Sequence, residues 1–165
     1  FRRRQTGKTY AVLVLGAWPA NKKVIDVPLH KYLNAQGERR VRTVDAEHDT
    51  DDPPGRRSIT LVSVVRQFAD FTLLDVTIKT GRTHQIRVHL AHEGHPIAGD
   101  DKYGDFAVNK ALGRGEAVRQ HKFDRMFLHA RRLRFEHPVT HEVIELEAPL
   151  PSECQNLLSA LGQSV

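Results

Sequence analysis

The chain has 165 residues, 39% hydrophobic and 27% charged, which suits one globular domain, or part of one, around a single core. Its 25 Lys and Arg against 20 Asp and Glu leave a net charge of +5, which permits a polyanionic partner without requiring one. No apolar run approaches the ~18 residues of a membrane helix, and the opening Phe1-Arg2-Arg3-Arg4-Gln5 does not lead into the apolar core of a signal peptide. The single cysteine, Cys154, excludes an internal disulfide and a multi-cysteine zinc cluster, and fits a reducing, cytoplasmic compartment.

In chain order, Lys8–Leu15 is rich in β-branched and aromatic residues and predicts a strand. Lys22–Val27 predicts a short strand stopped by Pro28, and Val41–Glu47 alternates apolar and polar residues. The stretch 49–55, with Pro53-Pro54-Gly55, reads as a turn or loop. Ser58–Phe68 and Phe71–Ile78 are two β runs joined at Ala69-Asp70, hence a hairpin. A helix is expected from the capping residue Thr83 to about Glu93, stopped by Gly94, with Ile86 and Leu90 on its apolar side. Phe106–Leu112 is a weaker helix signal, and His141–Glu147 a weaker strand signal. Pro151–Leu161 predicts a last helix, with Gly162 as its stop. The pattern is α+β: a mixed, mainly antiparallel sheet with a few flanking helices.

Charge is unevenly spread. Seven cations fall between Phe1 and Lys31 against Asp26, five anions between Asp45 and Asp52, and seven cations between Arg114 and Arg134 against Glu116 and Asp124. Any one run alone reads as a solvated face, but together they describe a basic cleft with an acidic back.

His84, His89, His92 and His95 invite a metal reading that their phase opposes. On a helix His84 and His89 lie roughly 140° apart, and Gly94 interrupts any His-Glu-x-x-His pattern. No metal is expected. No Gly-x-Ser-x-Gly elbow and no phosphate-binding Gly-rich loop ending in Lys occurs, and Cys154 sits in an amphipathic stretch where a buried structural thiol is the ordinary case.

The most informative stretch is Thr80-Gly81-Arg82-Thr83-His84-Gln85-Ile86-Arg87-Val88-His89-Leu90, which runs from a strand end through a glycine turn into a helix. A helix N-terminus offers unpaired N–H groups to a phosphate, with Arg82 adding a cation. Arg87, flanked by Ile86, Val88 and Leu90, is expected to be partly buried and to require a carboxylate.

The whole run from Thr80 to Asp105, TGRTHQIRVHLAHEGHPIAGDDKYGD, resembles a motif of the RluA family of RNA pseudouridine synthases. Lys8-Thr9-Tyr10-Ala11-Val12-Leu13-Val14 is similar to the family's tyrosine strand, and the segment from Phe127 to Pro138 to its Leu-His-Ala segment, in the family's order. The likeness is greatest to the members that act on large-subunit ribosomal RNA. It implies the pseudouridine synthase fold, an RNA partner, no cofactor, and isomerisation of uridine to pseudouridine. It further implies Tyr10 and Arg87 as catalytic residues, with Arg82, Thr83, His84, Leu128 and Arg131 binding substrate. The family's nucleophilic Asp follows Arg-Leu in a motif that this sequence lacks. Residues 1–165 are therefore expected to form the C-terminal part of a catalytic domain, with the Asp and any S4-like domain upstream and the piece alone inactive. A non-catalytic RNA-binding module of the same fold is the alternative.

Overall fold

The computed structural model describes residues 7–43, 57–78, 84–118 and 120–163. Six strands form one sheet: β1 (Gly7–Leu15), β2 (Val24–Asp26), β5 (Ile59–Gln67), β6 (Phe71–Ile78), β7 (Leu128–Glu136) and β8 (Val143–Glu147). Their order is β2-β5-β6-β1-β7-β8, with antiparallel pairing throughout. A separate antiparallel hairpin joins β3 (Leu29–Leu33) to β4 (Arg39–Thr43). The helices are α1 (Gln85–His92), α2 (Phe106–Arg114) and α3 (Ser152–Gln163). The α+β expectation holds.

The period of two along β1 divides the core. Val12 and Val14 face Ile86 and Leu90 of α1, together with Leu74 and Val76 of β6. Leu13 faces the other way, onto Leu112 of α2 and Cys154, Leu157 and Leu161 of α3. β1 is thus buried on both faces, which its nearly unbroken apolar run requires. Cys154 is fully buried, as expected of a structural thiol, and burial holds its pKa above the ordinary thiol value.

α1 lies between two layers. Ile86 and Leu90 meet the sheet, whereas Val88 meets Leu29 and Val41 of the β3–β4 hairpin. A helix covered on two sides has little room for a polar face, so its apolar pattern is weak.

Several boundaries differ from those read off the sequence. The N-cap of α1 is His84, in the left-handed conformation at φ 52°, and no side chain caps it; Thr83 lies outside the described residues. α3 continues through Gly162, which packs beneath the Arg66 guanidinium. Only 24–26 of the expected Lys22–Val27 strand pair with β5, and the second half of Val41–Glu47 lies outside the described residues. Leu29–Leu33 and Leu128–Glu136 are strands that the alternation of apolar residues did not reveal.

Candidate active site

Tyr10 leaves β1 on its α1-facing side, opposite Val76 on one neighbour and Ala130 on the other. Leu128 pairs with Val12 and shares that face. At the N-terminal end of α1, His84, Gln85 and Arg87 close over the same space, and Ile78 and Met126 complete a cleft of about 270 Å³. The structure therefore brings together Tyr10, His84, Arg87 and Leu128. Arg82 and Thr83 lie outside the described residues.

Arg87 has its carboxylate. Its Nε and Nη2 donate to the two oxygens of Asp100 at 2.9 and 2.6 Å, and Nη2 reaches Asp101 at 3.4 Å. Asp100 is wholly buried and also accepts the backbone N–H groups of Lys102 and Tyr103. Burial by itself would raise the Asp100 pKa, but the Arg87 fork and the two N–H donors outweigh it and hold the carboxyl below its ordinary value. The same pair pushes the Arg87 pKa up, so its charge is fixed at any working pH. With one edge of the guanidinium spent on Asp100, Nη1 makes no hydrogen bond to a described residue.

α1 is held at its depth by a buried polar chain. Gln85 Nε2 donates to the carbonyl of Ile59 and to Thr60 Oγ1, at 2.9 and 3.0 Å. Thr60 Oγ1 lies 2.7 Å from His89 Nδ1, and His89 Nε2 lies 2.8 Å from the carbonyl of Val27. A carbonyl can only accept, so Nε2 carries the hydrogen and Thr60 donates to Nδ1. His89 is neutral, its pKa lowered by burial. The remaining histidines disperse: His84 bonds Tyr103 and His95 bonds the carbonyl of Leu15. No group of three or more His, Cys, Asp or Glu among the described residues could hold a metal ion.

Arg131 is not part of this cluster. Its Nε and Nη2 donate to Asp75 at 2.9 and 2.6 Å. Asp75 faces away from Leu74 and Val76, so the pair lies on the α2–α3 side of the sheet and crosses β1 beside the small Ala11. The larger concavity by Arg131, about 510 Å³, is lined by Glu147, Ala148, Pro149 and Leu150 and by none of the residues of the Tyr10 cleft. The reason is strand geometry. Leu128 pairs with Val12 on the α1 side, whereas Arg131 is the extra residue of a β-bulge between Ala130 and Arg132 and turns to the face of Ala11 and Asp75.

The RNA pseudouridylate synthase family model matches residues 1–92, more than half of the chain. The chain belongs to this family. Among curated proteins it is similar to the ribosomal large subunit pseudouridine synthase C of Yersinia pestis, 42% identical over 164 residues. The alignment covers 99% of this chain and 47% of that protein. The protein of the same name from Pasteurella multocida is 41% identical over 162 residues, with 98% and 45% covered. The chain thus spans about half the length of the curated relatives it matches. Among solved structures, human RNA pseudouridylate synthase domain containing 1 superposes with a TM-score of 0.68 at 25% identity, covering 99% of this chain and 68% of that one. The pseudouridine synthase fold expected from the sequence is therefore the observed fold.

Asp100, Tyr103 and Gln85 were not singled out from the sequence, although the site depends on them. The available signal was the need of a buried Arg87 for a carboxylate, with Asp100 and Asp101 the nearest pair downstream.

Proposed function

We propose that the protein carrying this chain isomerises uridine to pseudouridine in large-subunit ribosomal RNA, in the cytoplasm, with Tyr10 and Arg87 as catalytic residues of the cleft. The observation that carries the reading is the convergence of Tyr10, Arg87 and Leu128 from separate elements on one small, largely apolar cleft. The reaction breaks the C1′–N1 bond of uridine, turns the detached uracil, and forms a C1′–C5 bond. The C5 proton is lost and N1 gains one, so nothing is oxidised and no cofactor is required.

The base is a flat ring that needs walls. Tyr10 supplies an aromatic face, and Leu128 with Ile78 and Met126 supplies an apolar one. Excluding water there strengthens every charge interaction in the cleft. The nucleophile is a carboxylate that must stay ionised in such surroundings, which a fixed cation beside it ensures. Arg87 suits that task because Asp100 orients the guanidinium and leaves Nη1 for a second carboxylate. Asp100 itself is no candidate nucleophile, being wholly buried with both oxygens engaged. No Arg-Leu-Asp sequence occurs in the 165 residues, and we assign the nucleophile to chain outside them.

A base within a duplex cannot reach this cleft, so the target nucleotide must be flipped out or already unpaired. The β3–β4 hairpin, beside α1, supplies phosphate contacts: Lys31, Arg39 and Arg40 line a concavity of about 390 Å³ with Tyr32 and Leu33. Arg82 and Thr83 are assigned to the phosphate of the target nucleotide.

Tritium release from large-subunit ribosomal RNA labelled at uridine C5 tests the proposal. The full-length protein should release tritium and the 165-residue chain alone should not. Arg87→Met should abolish single-turnover release at saturating protein, whereas Arg82→Met should weaken RNA binding more than it slows turnover. Release by the isolated chain, or near-normal turnover by Arg87→Met, would refute the assignment.

A further inference from the structure

Tyr103 touches both His84 and Arg87 of the cleft, yet does not line it. Its Oη accepts the N–H of Val41, on β4 of the hairpin, at 3.0 Å. The same oxygen lies 2.8 Å from His84 Nδ1. Its ring has the Arg87 guanidinium at 5.3 Å, that of Arg40 at 5.7 Å, and the His84 ring edge-on at 5.4 Å. Its backbone N–H donates to Asp100, the carboxylate that orients Arg87.

The hydrogen-bond directions follow from counting. A phenol has one hydrogen, and the Val41 N–H already occupies an Oη lone pair. Were Nδ1–H the donor, the phenol hydrogen would have no acceptor among the described residues. The arrangement that satisfies all these groups from the described residues alone is Val41 N–H to Oη, and Oη–H to Nδ1, in which His84 is the Nε2–H tautomer. His84 is also held at φ 52°, a conformation costly to a residue with a side chain, so its surroundings fix it.

We propose that Tyr103 is a positioning residue that holds His84 as the neutral Nε2–H tautomer, so that the imidazole donates a hydrogen bond to a carbonyl of the uracil ring in the cleft. This rests on the reading of the cleft as a uridine site. A neutral imidazole suits the role because it donates without placing a second positive charge beside Arg87. Among the described residues, the charged and titratable groups around His84 are Arg87 on α1, Arg40 on β4, and Asp100, Lys102 and Tyr103 on the loop after α1. Burial first, then Arg87 and Lys102, disfavour imidazolium there, and Asp100 opposes them. Through Val41 and Arg40, Tyr103 also ties the hairpin to this wall.

The test uses the full-length protein. Nitrogen-15 shifts of His84 at neutral pH should report Nε2–H, and an Nδ1–H tautomer would overturn the proposal whatever the activity. Tyr103→Phe keeps the ring and removes the hydroxyl. Its single-turnover rate at saturating RNA should fall about tenfold, the loss of one hydrogen bond, with RNA affinity unchanged within about twofold. The acid limb of its pH–rate profile should move to higher pH, because the bond that favours neutral His84 is gone. His84→Gln should lose that limb, and the double variant should be no slower than His84→Gln alone. A Tyr103→Phe variant with the unaltered rate and profile, or losses that multiply in the double variant, would overturn the proposal. If the unaltered protein forms no pseudouridine, the reaction is refuted and the tautomer measurement alone decides the Tyr103–His84 pair.

Discussion

Asp100 carries a burden that its neighbour cannot. Its side chain is 1% exposed and that of Asp101 89%, although the two are adjacent and both within reach of Arg87. The turn that buries Asp100 also aims the N–H groups of Lys102 and Tyr103 at its oxygen, and so offsets the cost of burying a charge. Removing that charge while keeping the shape leaves Arg87 with only the exposed, more distant Asp101. Asp100→Asn should lower stability at pH 7 by about 3–5 kcal/mol, read from urea denaturation. The pH dependence has a defined sign. The folded pKa of Asp100 lies below its unfolded value of about 3.9, so its contribution is present above that pH. The contribution is lost as pH falls through the folded pKa. The gap between the unaltered protein and Asp100→Asn should therefore be full at neutral pH and close in acid; a gap independent of pH would contradict it. That Arg87 needs a carboxylate is legible in the sequence. Which of two adjacent aspartates provides it is not, because a backbone turn decides which one is buried.

At the level of elements, the loop from Ile97 to Tyr103 sets the cleft. Ile97 bridges to Val14, and Ala98 donates to the carbonyl of Leu13 and accepts from Phe127, so the loop is stitched to β1 before it delivers Asp100. Gly99 makes this possible. It sits at φ 83°, and an added Cβ would collide with the carbonyl of Arg125. Its N–H is held by Asn109 Oδ1 at 2.8 Å, and Asn109 Nδ2 donates to the Asp100 carbonyl at 2.7 Å, which joins the loop to α2. Gly99→Ala combines a left-handed conformation with overpacking against backbone, and should cost about 3 kcal/mol or more. A denaturation midpoint within error of the unaltered protein would show that the loop can shift at no cost. The hairpin of β5 and β6 was readable because two long β runs meet at a two-residue turn, with Phe68 and Phe71 closing it. The β3–β4 hairpin was not, because its apolar positions are few: Leu29 and Val41 are buried, while Leu33 is 67% exposed.

For the molecule as a whole, the net charge of +5 matters less than its placement. Between Leu29 and Thr43 there are four Lys or Arg and one Glu, on a hairpin that flanks the cleft. RNA affinity should fall steeply with salt, and the double variant Lys31→Ala, Arg39→Ala should flatten the logarithmic salt slope by about two units. Filter binding across a salt series measures this, and an unchanged slope would place the phosphates elsewhere. No helix among the described residues is long and apolar enough to cross a membrane.

The amino-acid sequence by itself determined the α+β character, the strands β1, β5 and β6, and the three helical stretches. These depend on periodicity and on local backbone preferences, which a few neighbouring residues set. The resemblance carried by residues 8–14, 80–105 and 127–138 implied that Tyr10, Arg87 and Leu128 serve one site. Only the tertiary structure decided that β7 lies beside β1, which puts Leu128 near Tyr10 and sends Arg131 to Asp75 on the far face. Only it put Asp100 beneath Arg87 and Tyr103 between hairpin and helix. The physical reason is that strand order and the burial of one carboxylate in place of its neighbour come from contacts between residues far apart in the chain. Such contacts are settled by which arrangement buries most apolar surface while leaving every buried charge paired.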